Sequence, residues 1–484
     1  MLFNSFDFLI YLPIVFIIYW LLSSTVKWQN VFISIASFVF YGWLDWRFVI
    51  LLFTTLLVTF LSGNLITSQL AKTNDEDSQK KAKRIMIANV VFNLAILGLF
   101  KYYNFFSDSI FTFLHSCGFN VDTFTLRLIM PIGISFYTFM ALSYTIDIYK
   151  QRIEPPSANV FFAYMSFFPQ LLSGPIGRGT SLIPQFQRAK IFDYNQATDG
   201  LRQFLWGLFK KAVIADNCAT IVNSSWHNYT HESSLVLLIA GCLYSIQIYC
   251  DFSGYSDMAI GVGRLFGIDL MKNFNYPYFS RNIAEFWRRW HISLTSWFRD
   301  YIYIPLGGSR EGKWKAFRNT MIIFTLCGFW HGANWTYIYW GAFNGLLFLP
   351  LFIGGANKKF KKDTVAEGRM FPSLNECRLM LTTFFLVSIG WIIFRADNIT
   401  QAYEYVSAIF SNRVPFVLPQ GLSKVCGFTL LLIVLEWTQR NKNHALEFLN
   451  DRINISVRWF AYLVLIGLVL KYSVAEGEFI YFQF

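Results

Sequence analysis

The chain is short of charge. Only 14% of its 484 residues are Asp, Glu, Lys or Arg, where an ordinary soluble protein carries about a quarter. That shortage excludes a soluble enzyme, a disordered chain and a fibrous one. Cysteine is sparse and unpatterned. The seven residues Cys117, Cys218, Cys242, Cys250, Cys327, Cys377 and Cys426 form no C-x-x-C pair and no zinc-type spacing, so no metal is predicted and each reads as a small buried residue. The N-terminal MLFNSFDFLIYLPIVFIIYW lacks a basic stretch and a small-residue cleavage site, which predicts a retained span, not a signal peptide. No internal repeat is visible, and this disfavours transporters built from two related halves.

Apolar surface takes the place of charge. Hydrophobic residues make up 55% and aromatic residues 19%, and the mean hydropathy is +0.40. Runs at 1–22, 31–70, 85–100, 235–262, 320–353, 379–394, 425–437 and 457–470 approach or exceed the ~20 residues that cross a bilayer. The chain is therefore expected to be an all-α, polytopic integral membrane protein of roughly ten to thirteen transmembrane helices. One membrane domain is expected over 1–484, with N-terminal spans to 125, a motif-bearing core at 126–353, and C-terminal spans with a tail at 354–484.

The net charge is +12, from 41 basic and 29 acidic residues. Nucleic acid is not the expected partner, because the basic residues gather in short loops at 72–84, 358–369 and 440–452, as the positive-inside rule requires of cytoplasmic loops. The basic stretch 281–318 belongs on the same side, and alternation of spans from there puts 472–484 on the outer face. The side of Met1 stays open. Gly and Pro interrupt the apolar run in FFPQLLSGP (167–175), a broken backbone that membrane depth tolerates only inside protein, so a re-entrant segment is expected there.

Ionisable groups within apolar runs carry the first functional hints. His331 is alone in TMIIFTLCGFWHGANWTYIYWGAFNGL (320–346). About eleven residues of helix from Thr320 place it ~16 Å along the axis, near the bilayer middle. It is either a core histidine bonded across helices or a proton acceptor. Cys327 lies one helical turn before it, which allows a Cys–His pair but supplies no third orienting group. In FWRRWHISLTSWFRDYIYIPLGG (286–308) a helical wheel gathers the aromatic residues on one arc and Arg288, Arg289 and Arg299 opposite, predicting one amphipathic interfacial helix. His291 falls at the margin of the apolar arc and is expected to point into protein. In YCDFSGYSDMAIG (249–261) Asp251 and Asp257 are six apart and do not share a helical face; either could orient a histidine or meet an acceptor, or be a polar point in a span.

These stretches, together with ISFYTFMALSYTIDIYK (134–150), FFPQLLSGPIGR (167–178) and the closing FIYFQF (479–484), resemble the membrane-bound O-acyltransferase family over essentially the whole chain. The likeness is to its bacterial branch of alginate O-acetylation and related polysaccharide or peptidoglycan acetylation proteins. The resemblance implies a helical bundle around a tunnel or funnel, with His331 at the active-site histidine position. His291 matches a second motif position, which is often histidine in this branch and asparagine in others. Asp251, Asp257, Arg288, Arg289, Trp290 and Asn334 become candidate donor or acceptor contacts.

The same resemblance implies transfer of an acyl group, acetyl by expectation, from a cytosolic thioester such as acetyl-CoA to a hydroxyl of an extracytoplasmic polysaccharide. Acetyl-CoA would be a co-substrate and no bound cofactor is expected. His331 would act as general base, and His291 would orient the donor or stabilise developing charge. Basic residues near 288–299 would meet CoA phosphates or simply anchor the cytoplasmic face. The expected setting is the bacterial cytoplasmic membrane, with a separate extracytoplasmic transferase or esterase-like partner. Tyr481 in the aromatic tail would relay the acyl group outward, or the tail is an interfacial aromatic belt. D-alanyl transfer to teichoic acid by the same fold, and a transporter of polysaccharide or lipid-linked intermediates, are the alternatives.

Overall fold

The computed structural model describes residues 1–72, 75–119, 128–356, 359–360, 364–450, 452–474 and 479–480. All regular structure among them is helical, and six helices are long and apolar enough to cross a membrane. These are Trp46–Leu70, Glu76–Ser116, Ser234–Leu265, Trp335–Ile353, Leu374–Arg395 and Ile455–Tyr472. The larger number expected from apolar runs counts shorter helices as well, such as Phe6–Leu21 with 16 residues and Val26–Gly42 and Leu422–Thr438 with 17 each. The chain is a multi-pass membrane protein.

Two compact units divide the chain: 1–198 with 262–271, and 199–261 with 272–484. In the first, FFPQLLSGP folds as a single buried turn, Phe168–Leu171, entered through the non-helical Phe167. Its broken backbone is satisfied inside protein, as membrane depth demands. The Phe168 amide donates to Ser37 Oγ at 3.1 Å, and Gln170 Nε2 donates to the Tyr164 carbonyl at 2.6 Å.

The second unit contains all the histidine and arginine candidates. It holds most of the 32-residue helix Ser234–Leu265. Beside it, Lys313–His331 and Trp335–Leu346 form a hairpin whose two helices touch backbone to backbone. A Cβ at Gly328 would lie 2.1 Å from the Tyr337 carbonyl oxygen, and one at Gly341 would lie 2.2 Å from that of Phe324. Small residues at such crossings are how helices associate where lipid removes the hydrophobic drive. The helix Leu374–Arg395 begins with a capping box, in which Ser373 and Glu376 each bond the other's backbone.

The single amphipathic helix expected over 286–308 is instead three pieces. Ile283–Arg289 stops at Trp290, Ile292–Phe298 restarts after His291, and a π-helical turn follows at Arg299–Tyr303. The break is imposed from outside the segment, because 273–275 pairs with it. The Asn275 amide donates to the Arg289 carbonyl and the Ile292 amide donates to the Asn273 carbonyl, each at 2.9 Å.

Candidate active site

His331 is the last residue of Lys313–His331 and is buried. The hairpin sets its surroundings. Trp340 meets its ring edge-on at 5.1 Å, Phe394 does so at 5.3 Å, and Trp330 lies at 4.8 Å. Counted from Lys313, the residue lies ~27 Å along the helix axis, because the helix begins seven residues before the apolar run at Thr320 that marks it in the sequence.

His291 sits at the break between two short helices, with φ 44° and ψ 55°. That left-handed conformation costs a non-glycine residue on the order of 1–3 kcal/mol and persists only where the surroundings over-determine it. Here the paired strap 273–275 does so. The imidazole is 2% exposed, packed edge-on against Phe252 at 4.7 Å and within 6.1 Å of Trp330. It lies outside the spanning helices, and burial pushes its pKa down to about 3, so the ring is neutral at physiological pH. Its Nδ1 is 3.1 Å from Asn273 Oδ1.

Both histidines line one cavity of about 280 Å³. Trp330 is a ring neighbour of each. Trp287, Trp290, Phe324 and Phe348 are among its apolar wall, with Cys327, Thr295 and Thr320 as small polar points. Arg288, Arg299 and Tyr303 are also among its lining residues. Two imidazoles in an apolar chamber with cations in its wall can take a proton from a hydroxyl and hold an anionic group nearby.

The remaining candidates divide. Trp290 and Arg288 line the cavity; Trp290 stacks on Phe286 at 5.4 Å, and Arg288 donates to the Lys359 carbonyl at 3.1 Å. Arg289 is not among the lining residues and is bound to Glu285 at 3.0 Å. Asn334 is a helix cap, accepting from the Thr336 amide at 3.0 Å and donating to the Asp397 carbonyl at 2.8 Å. Asp251 and Asp257 both lie on Ser234–Leu265 but belong to a buried ionic cluster and not to the cavity lining. Tyr481 lies outside the described residues.

That cluster is what the sequence reading missed. Two adjacent lysines on the π-helical turn Lys210–Ala215 serve the two aspartates separately. Lys210 Nζ is 2.7 Å from Asp257 Oδ2, and Lys211 Nζ is 2.8 Å from both Asp251 Oδ1 and Asp216 Oδ1. Asp251 Oδ2 accepts the buried Ile480 amide at 2.7 Å, and Phe479 packs on Tyr255 at 4.9 Å and Phe252 at 6.2 Å. Tyr249 bonds Glu436 at 2.8 Å. The signal available was two lysines inside FLWGLFKKAVIAD and one acid inside the run at 425–437.

A family model described as "MBOAT, membrane-bound O-acyltransferase family" matches residues 31–353, which include both cavity histidines. The chain is 39% identical over 416 residues to the "Probable alginate O-acetylase AlgI" of Pseudomonas aeruginosa, covering 85% of this chain and 75% of that protein. It is 31% identical over 543 residues to the "Peptidoglycan O-acetyltransferase" of Helicobacter pylori, covering 100% of this chain and 98% of the relative. The "Teichoic acid D-alanyltransferase" of Bacillus subtilis is 30% identical over 286 residues, covering 55% of this chain and 69% of that one.

Proposed function

Because this chain belongs to the membrane-bound O-acyltransferase family and is a membrane O-acyltransferase, we propose that it moves acetyl groups from cytosolic acetyl-CoA towards hydroxyls of an extracytoplasmic polysaccharide. The observation that carries this reading is the sharing of one apolar cavity by His291 and His331. His331 acts as general base. The acceptor hydroxyl oxygen bonds to the thioester carbonyl carbon while its proton passes to the imidazole. The carbon–sulfur bond then breaks, and the departing thiolate recovers that proton, leaving an ester and free CoA. A thioester is already activated, so placement and proton removal supply most of what the reaction needs.

The cavity, at about 280 Å³, is just under the roughly 300–1,000 Å³ usual for whole small ligands. It suits the reacting end of the donor, with Arg288 and Arg299 as anchors for phosphate. The setting is the bacterial cytoplasmic membrane, with a separate extracytoplasmic transferase receiving the group. Tyr481 is proposed as the relay. Its sequence neighbour Ile480 donates its amide to buried Asp251, and that bond supports this reading. D-alanyl transfer is the second reading, favoured by the Bacillus relative, but that similarity covers 55% of the chain where the acetylating relatives cover 85% and 100%.

The test is the ester-linked acetyl content of cell-surface polymers from cells carrying wild-type protein, His331→Ala or Tyr481→Phe at matched membrane abundance. Loss of acetyl from one polymer in His331→Ala identifies reaction and acceptor together. Unchanged acetyl in every polymer removes His331 from the chemistry and favours transport. D-alanine lost in place of acetyl selects the second reading. Wild-type acetylation in Tyr481→Phe eliminates the relay alone.

A further inference from the structure

The side-chain oxygen of Asn273 receives three groups. The Ser293 amide donates to it at 3.2 Å, the Ser293 hydroxyl donates at 3.0 Å, and His291 Nδ1 lies 3.1 Å away. A backbone N–H can only donate, so the atom facing Ser293 is the oxygen and not the nitrogen of the amide. The other end agrees, with Asn273 Nδ2 donating to Ser256 Oγ at 3.2 Å. An amide oxygen has no hydrogen to give, so Nδ1 of His291 must be the protonated nitrogen. The tautomer is thereby assigned from the bonding network.

We infer that Asn273 is a positioning residue that locks His291 as the Nδ1–H tautomer, making Nε2 the accepting nitrogen of a ring that lines the cavity. This rests on the acyl-transfer reading for its consequence but not for its geometry. A neutral imidazole whose Nε2 accepts cannot donate through that nitrogen to an oxyanion forming at the thioester carbon. What it can hold is a hydrogen-bond donor on a substrate, and because the attacking hydroxyl gives its one hydrogen to His331, that donor is another N–H or O–H of the bound thioester or acceptor. His291 thus orients a substrate through that donor, and the role of stabilising developing negative charge falls to other groups.

The strap makes Asn273 suited to this. It is fully buried, its own carbonyl accepts from the Ile292 amide at 2.9 Å, and so one residue fixes both the left-handed backbone at 291 and the ring above it. A side chain on a loop would otherwise be free to turn and offer either nitrogen. Second-sphere carboxylates and carbonyls fix histidine tautomers in the same way at other sites.

The test reads the tautomer directly. Full-length protein in lipid nanodiscs, labelled with ¹⁵N in its histidine rings, is compared with His291→Ala to assign the residue 291 signals. The inference expects a protonated Nδ1 and a non-protonated Nε2 at neutral pH in wild type, and a shift of population towards Nε2–H in Asn273→Ala. Nε2–H in the wild-type spectrum overturns it, whatever the variants do. In cells at matched abundance, polymer acetylation falls roughly 10²-fold in Asn273→Ala, the size of loss that a misplaced substrate causes. Asn273→Asp, which keeps the accepting oxygen, restores most of it. Equal loss in both variants overturns the positioning role. Wild-type cells without any transferred acyl group overturn the proposed function and leave the tautomer assignment standing.

Discussion

Residues 199–261 and 272–484 bury polar groups in two opposite ways. Around Lys210 and Lys211, charge faces charge, with contacts of 2.7–2.8 Å to Asp257, Asp251 and Asp216. Around His291 and His331 the nearest rings are aromatic, and a cavity remains between the side chains. The first region uses its donors and acceptors on itself and on the Ile480 amide. The second holds its bases in place through packing and one amide, leaving room for a reactant. Damage to the first should therefore register as lost stability, and damage to the second as lost chemistry.

The sharpest way to break this contrast is Lys211→Met. It strands two carboxylates without their shared cation, and removing one partner of a buried pair costs about 3–5 kcal/mol. We expect a large fall in thermal midpoint in detergent and in membrane abundance, with recovery when Asp251→Asn and Asp216→Asn are added. A Lys211→Met protein as stable as wild type would dissolve the distinction. His331→Ala should lose its ring contacts with Trp340, Phe394 and Trp330, roughly 0.5–1.5 kcal/mol per aromatic pair, while polymer acetylation disappears; a stability loss matching that of Lys211→Met would make the histidine structural. The smallest effect belongs to Asn334→Ala. It forfeits a helix cap, typically ~1 kcal/mol, and acetylation per molecule should stay at the wild-type level. A drop there would return Asn334 to the site.

The sequence made His331 conspicuous because it is one ionisable group in an otherwise apolar run, and the environment rule for membranes does not depend on fold detail. The divergent faces of Asp251 and Asp257 were also readable from helical geometry, and two separate lysines answer them. What could not be read was the break at His291. Phe286–Tyr301 has unbroken amphipathic periodicity and no glycine or proline before position 305, so local pattern argues for a continuous helix. The left-handed turn comes from pairing with 273–275, a tertiary cause that periodicity does not encode. Asn273 was hidden for the same reason, since its importance lies in partners 18 and 20 residues away.

The left-handed backbone at 291 also narrows which side chains that position can host. Among residues other than glycine, asparagine, aspartate and histidine enter this region several-fold more readily than the rest. Backbone shape limits the candidates at 291 before reactivity is considered. A designer wishing to install a different base at 291 would have to rebuild the strap before choosing the side chain.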